Sequence, residues 1–330
     1  MDGGSAGSAG AACAIGIDLG ASNVRVGLVR SDGQVLALHS QPTVAGGLYE
    51  SEALLEQLAA LVGGALASPE ARDLPLAGIG VGMAGQINRQ GEVVGTSRPR
   101  QSGWQILPFR ALFASRLAME LPTHVENDAK AAAWGEYLYG AGRGSRSMIC
   151  LTIGTGVGGG LVLDGRLYHG SSGLAGHLGL MSVQMHGERC PCGMVGCLER
   201  YASGTGIAEA ARQALIRGRR SAMLELAGGR IDLVTCETVF AAGRSGDALA
   251  QEVIGNAAYA LGVAIAGLLH VLNPDVVVVG GGVADQGDAF LQPVRQAVAG
   301  LSMPSFAGTP VLPAQLGSLA GVIGAAALCW

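Results

Sequence analysis

Two stretches of this chain, 15–38 and 149–168, follow one plan: an apolar strand, a turn of small residues, a second strand and a hairpin. In the first, the run CAIGIDL (13–19) ends at Asp18-Leu19-Gly20. VRVGLV then alternates, and Ser31-Asp32-Gly33 turns the chain into VLAL. In the second, SMICLTI (147–153) meets the glycine-rich stretch 154–160, a strand at 161–163 follows, and Asp164-Gly165 turns back. Alternating apolar runs bounded by Gly, Asn, Asp and Ser read as strands and hairpins. A pattern used twice implies two α/β lobes, each presenting a glycine turn to a shared cleft. No other internal repeat is visible.

The remaining segments supply helices between strands. Apolar residues at 54, 55, 58, 61 and 62 have helical spacing, and 109–120 continues in the same way. Strands are expected at 76–83 and 122–125, the latter delivering Glu126-Asn127-Asp128 at its end, with a helix over 129–139. Further helices are predicted over 204–217, 246–256, 257–272 and 320–328, and a strand over 276–279 that ends in Gly280-Gly281-Gly282. The 330 residues suit about two domains of roughly 150 residues each.

Composition excludes several function classes. The net charge of −4, with no basic tract, offers a nucleic acid nothing to hold. Lys130 is the only lysine, so no Walker-type Gly-Lys-Ser/Thr exists. Residues 1–12 lack the basic and apolar regions of a secretory signal and read as a flexible tail. The apolar stretch 255–272 is diluted by Ala and Gly, carries His270 and runs into Asn273-Pro274-Asp275, which fits a buried helix better than a membrane span. Seven cysteines, an odd number, with no signal suggest a reducing cytoplasm, where clustered cysteines point to metal.

Gly20-Ala21-Ser22-Asn23 and Gly154-Thr155-Gly156-Val157-Gly158-Gly159-Gly160 suit phosphate, because glycines let backbone N–H groups approach an oxyanion. Ser22, Asn23 and Thr155 add side-chain donors. Asp18, just before the first turn, is placed to hold Mg²⁺ through water. The plainer reading is a pair of ordinary hairpin turns in a chain with 55 glycines. Residues 154–159 also match the dinucleotide fingerprint G-x-G-x-x-G, but a strand rather than a helix follows, and 174–181 holds no carboxylate.

Taken in order, Asp18 to Asn23, Glu126-Asn127-Asp128-Ala129, the glycine stretch 154–160, Cys190-Pro191-Cys192-Gly193-Met194-Val195-Gly196-Cys197-Leu198-Glu199 and Asn273-Pro274-Asp275 with Gly280 to Gly282 resemble the ROK family of sugar kinases and sugar-responsive repressors. The resemblance runs from about residue 13 to the end. It implies a two-lobed actin/hexokinase-like (ribonuclease H-like) α/β fold: a small lobe over 13–127, a large lobe over 128–317, and a terminal helix over 318–330 returning to the small lobe. It further implies ATP phosphates between Asp18, Gly20, Ser22 and Asn23 on one side and Gly154, Thr155, Gly156, Gly158 and Gly159 on the other, with Gly281 and Gly282 beside the adenosine. The sugar would meet Asn127, Asp128, His177 and Glu199, and a homodimer is expected by analogy. The family's repressors carry a DNA-binding domain before the kinase-like part, and a dozen residues precede the first strand here, so a kinase is expected rather than a repressor. A sugar-binding sensor without strong activity stays open. ENDAKAAAWGE and CPCGMVGCLERYASG resemble the family's glucokinases, which makes glucose the expected acceptor and N-acetylmannosamine or another hexose the alternative.

Asp128 is the candidate catalytic base, since a carboxylate in reach of a sugar hydroxyl can orient it and accept its proton. The competing reading makes Asp128 only the cap of the helix that follows. Lys130 is expected to be a solvated charge. Cys190, Cys192 and Cys197 offer three thiolates suited to tetrahedral Zn²⁺. In the resembled kinases the fourth ligand is a His where Leu180 stands here, and His177 stands where a sugar-binding Glu is usual. His177 or His186 swinging in, a water, or weak or absent zinc all remain open. His39, His124, His169 and His270 sit in no metal spacing, and His270 reads as a core residue.

Overall fold

The computed structural model describes residues 12–44, 52–72, 74–96 and 106–330. The expected tail, 1–12, falls outside them except for Ala12. In the small lobe, β1 (Cys13–Leu19), β2 (Asn23–Arg30) and β3 (Val35–Pro42) form an antiparallel meander, and β1 continues in parallel into β4 (Leu76–Met83). The short β5 (Gln86–Ile87) and β6 (Val93–Gly95) pair with each other, and β7 (Thr123–Asn127) closes the main sheet in the order β3-β2-β1-β4-β7. The large lobe repeats the scheme. Here β8 (Met148–Ile153), β9 (Val157–Leu163) and β10 (Arg166–Leu167) form the meander, while β11 (Val276–Gly280) and β12 (Val311–Pro313) add in parallel, giving β10-β9-β8-β11-β12. The duplication in sequence is therefore the antiparallel half of each sheet. The parallel halves come from segments with no visible repeat.

Helices α1 (Glu52–Leu66) and α2 (Phe109–Ala114) cover the small sheet, and every apolar position that set the spacing of α1 is buried. Helix α3 (Asp128–Tyr139) joins the lobes. It packs on β4 of one sheet, on β9 of the other and on the late helix α10 (Ala320–Ala326). Such close contact on three sides requires small residues. Ala129, Ala131 and Ala133 are buried, and a Cβ on Gly160 of β9 would fall 2.5 Å from the Cβ of Ala133. Helix α10 lies across β1 and β4, so the chain's end returns to the small lobe's sheet. The buried Glu136 of α3 accepts hydrogen bonds from the N–H groups of Ala141, Gln315 and Leu316, which fixes the approach to α10.

The large lobe's other helices are α4 (Glu199–Ala202), α5 (Gly204–Ile216), α6 (Ala222–Leu226), α7 (Cys236–Arg244), α8 (Ala248–Leu272) and α9 (Asp288–Leu301). The two helices expected over 246–272 are one, capped by the Asp247 carboxylate on the Ala250 N–H. Gly255-Asn256 reads locally as a break, but Val253, Ile254, Ala257 and Ala258 are buried on both sides of it, and packing overrides propensity. By length and composition α8 could span a membrane, yet most of it is buried inside the lobe, as expected for a core helix. His270 lies at its exposed end, not in the core, and accepts a hydrogen bond from the Met303 N–H. Three other expectations shift: α2 stops at Ala114 rather than 120, β9 starts at Val157 rather than 161, and α7, α9 and β12 had no forecast.

Candidate active site

The first turn joins β1 to β2. The Gly20 N–H donates to the Asn23 carbonyl, and Thr43 ties the Gly20 and Ser22 carbonyls. The side chains of Ser22 and Asn23 are exposed and make no hydrogen bond among the described residues, so their polar groups remain free. Asp18 sits one residue before the end of β1, 3.5 Å from the Arg25 guanidinium, which also donates to the Ser318 carbonyl. Burial pushes the Asp18 carboxyl up, Arg25 opposes this, and the nearby charge of Asp128 adds to the rise. A carboxylate whose ionisation is disfavoured by burial and by a second carboxylate nearby is a donor suited to a divalent cation, which would restore the charged form.

Asp128 opens α3, but the cap is its neighbour. The Asn127 side chain accepts from the N–H groups of Ala129 and Lys130, so the capping role expected as the alternative for Asp128 belongs to Asn127. Asp128 Oδ1 accepts from the Ala129 N–H at 2.8 Å and from Asn127 Nδ2 at 3.0 Å, while Oδ2 has no hydrogen-bond partner among the described residues. Burial pushes the Asp128 carboxyl above the ordinary aspartate value against those hydrogen bonds.

Beside it lies an arrangement that sequence reasoning missed. Lys130 is not solvated. It is 1% exposed, pairs with the buried Glu126 at 2.6 Å and donates to the Gly173 carbonyl at 2.6 Å. Glu126 also meets His169 Nδ1 at 2.8 Å and the Asn127 N–H at 2.7 Å. Burial alone would raise the Glu126 carboxyl, but His169, Lys130 and the Asn127 N–H together hold it below the usual value. The loop 169–177 is thus anchored to the strand and helix that carry Asp128. The available signal was a Glu four residues before the chain's single lysine.

His177 ends that loop. Its Nε2 is buried and has no hydrogen-bond partner among the described residues. Burial holds the imidazole below its ordinary pKa, the Lys130 ammonium adds to this, and Asp128 and Glu126 oppose it, so His177 lies within the electrostatic reach of the catalytic candidate. The second glycine turn is narrower than expected. Only 154–156 turns, held by the Gly204 N–H on the Gly154 carbonyl and by Thr205 Oγ1 on the Thr155 carbonyl. Thr155 is exposed, whereas Gly158 and Gly159 belong to β9, where Ala129 and Leu178 leave no room for a Cβ. Glu199, opening α4, accepts from the Val157 N–H at 2.9 Å and so grips the far side of that turn. Gly281 has φ +91, and a Cβ there would fall 2.5 Å from the Ile153 carbonyl oxygen, so a glycine is needed where the 280–282 turn meets the end of β8.

The sulfurs of Cys190, Cys192 and Cys197 lie within 4.8 Å of one another, and neither His177 nor His186 joins them. The nearest group from the Leu180 position is its backbone carbonyl, which accepts from Cys197 Sγ at 3.5 Å. Three converging thiols fit a thiophilic ion such as Zn²⁺, with no protein side chain in the fourth place among the described residues.

Two sheets of identical topology, bridged by α3 and meeting around Asp128, make the two-lobed α/β fold of the actin-like kinases. The sequence model of the ROK family matches residues 14–330, and the chain belongs to that family. It is 35% identical over 321 residues to a glucokinase of Streptomyces coelicolor, covering 95% of this chain and 96% of that protein. It is 34% identical over 314 residues to an N-acetylmannosamine kinase of Shigella boydii, covering 95% and 97%. Among solved structures, a ROK family glucokinase from Streptomyces griseus in complex with glucose and AMPPNP superposes with a TM-score of 0.79 at 33% identity, covering 96% of this chain and 98% of that one.

Proposed function

We propose that this protein is an ATP-dependent hexose kinase that transfers the γ-phosphoryl group to glucose, with Asp128 as the base. The observation that carries the reading is the state of Asp128: desolvated, with Oδ1 pinned by two hydrogen bonds and Oδ2 free. Phosphoryl transfer asks a protein mainly for positioning and charge stabilisation. Asp128 Oδ2 orients the sugar hydroxyl and takes its proton as the new O–P bond forms and the bond from γ-phosphorus to the bridging oxygen breaks, releasing ADP. Its raised pKa brings it closer to the proton it accepts. Asn127, already oriented as the cap, borders the sugar together with His177 and Glu199.

The nucleotide phosphates lie between Gly20, Ser22 and Asn23 and the turn Gly154-Thr155-Gly156, with Gly158 and Gly159 shaping the strand behind it and Gly281 and Gly282 beside the adenosine. Asp18 would hold Mg²⁺ through water, and the ion would neutralise phosphate charge there. Cys190, Cys192 and Cys197 would hold a zinc ion that braces the loop leading into Glu199.

A second acceptor, N-acetylmannosamine, is favoured by one observation. The neutral imidazole of His177 has an unpartnered buried nitrogen, which suits an amide group where a carboxylate would bind a hydroxyl. The test is ADP release over a panel of hexoses, with Asp128→Ala alongside. Absence of turnover on every sugar removes the enzyme reading, and unchanged turnover in the variant removes Asp128 as base.

A further inference from the structure

Where the two lobes meet, a cavity of about 260 Å³ is lined from the small lobe by Arg89, Arg110, His124 and Glu126 and from the large lobe by His169 and Gly173. None of Asn127, Asp128, His177 or the phosphate turns contributes to its wall. Its chemistry is one-sided. Among the described residues Glu126 is the only carboxylate on the wall, and it is already committed to Lys130, His169 and the Asn127 N–H. The Arg110 guanidinium makes no ion pair or side-chain hydrogen bond among the described residues. Among the described residues Arg89 donates only to the neutral carbonyls of Gly170 and Ser171, and no carboxylate pairs with it. Partial desolvation and the facing Arg110 hold the imidazole of His124, whose residue is exposed, below its usual pKa. A second hollow of about 570 Å³ shares Arg89 and His169 with the first and adds Arg166 together with Asp164, which pairs with Arg146.

We propose that this cavity binds a compact phosphate-bearing anion, inorganic phosphate or a phosphomonoester, held by Arg110, Arg89 and His124 of the small lobe where it faces the large one. Guanidinium forks match phosphate oxygens in geometry, and a neutral imidazole adds one more N–H donor. The volume falls below the ~300–1,000 Å³ of sites that take drug-sized molecules, which limits the ligand to a small one. The three basic residues come from β7, α2 and the β5–β6 connection of the small lobe and face the 169–173 loop of the large lobe, so the anion would sit at the lobe interface apart from the nucleotide turns.

The experiment is isothermal titration of the full chain with inorganic phosphate and, separately, with glucose 6-phosphate. Both are run with AMPPNP and glucose present in saturating amounts so that the active-site cleft is filled. Arg110→Gln and His124→Gln are measured beside the parent, with melting temperature and hexose turnover as controls, since neither residue is part of the proposed catalytic machinery. The expected result is one saturable site for at least one of the two anions, weakened tenfold or more in Arg110→Gln, with turnover and melting kept. The tighter of the two anions identifies the source. No saturable heat up to about 10 mM, where even a site of ~1 mM would fill, overturns the proposal, as does binding unchanged in both variants. Loss of the kinase reading would show separately, as absent hexose turnover with phosphate binding intact.

Discussion

Replacing Lys130 with Met removes the cation that faces Glu126 while keeping the length and apolar stem of the side chain. Glu126 is 6% exposed, so its charge would remain in a poorly solvated place. Removing one partner of a buried pair typically costs about 3–5 kcal/mol, because the other charge stays uncompensated. Here His169 and the Asn127 N–H continue to hold the carboxylate, and a hydrogen bond to a charged group is worth ~1.5–3 kcal/mol, so the low end, about 3 kcal/mol, is expected. Urea unfolding should show a lower midpoint with an unchanged slope. Glu126→Gln combined with Lys130→Met should recover at least ~1 kcal/mol relative to additivity, since it removes the stranded charge as well. The pH dependence has a definite sign. The folded Glu126 carboxyl lies below its ordinary value, so the pair's contribution is complete above the unfolded glutamate pKa of ~4.3 and fades as pH falls through the folded value. The gap between parent and Lys130→Met should therefore be widest near neutral pH and narrow as pH falls, starting at the variant's own higher Glu126 pKa, because protonating the stranded carboxyl removes its cost. Because Lys130 also holds the Gly173 carbonyl, the hexose KM should rise with it. A cost below ~0.5 kcal/mol with an unchanged KM would show that the pair contributes nothing and refute the reasoning.

Asp128→Asn should lower kcat by roughly 10²–10⁴-fold with a modest change in sugar KM, as loss of general base catalysis predicts, and should also raise the unfolding midpoint because it removes a desolvated charge. In the parent, the acid limb of kcat/KM should lie above the ordinary aspartate value of ~3.9, because the base must be ionised and burial raises its pKa; a limb below that value contradicts the desolvation. Gly160→Val should lower stability by several kcal/mol or abolish soluble expression, since its side chain would collide with Ala133 at the joint of the lobes, and a stable variant would mean the packing there is loose. Metal analysis of the dialysed protein should find about one zinc per chain, lost in Cys197→Ser; equal zinc in both would place the ion elsewhere.

The strand-turn-strand repeat, the glycine turns, Asp18, the Asn127-Asp128 pair and the thiol triplet were legible along the chain because each depends on local rules: alternation, turn chemistry and ligand spacing. The helix spacing of α1 was legible for the same reason. Other features depended on partners distant in sequence. Gly158 to Gly160 look like a phosphate loop until Ala129 and Ala133 are seen against them, and α8 looks like two helices until its burial is known. Lys130 looked solvated because a Glu four residues before it fits an exposed pair equally well, and nothing local shows that His169 and Gly173 close over both. By itself the sequence determined the two-lobed α/β plan and its family, since the backbone's period and its turns are set by neighbouring residues. Only the tertiary structure decided which charges are buried and paired, what anchors the His177 loop and where the cationic cavity lies. Desolvation depends on residues brought together from 40 or more positions apart, as Gly173 is with Lys130, and no local rule encodes it.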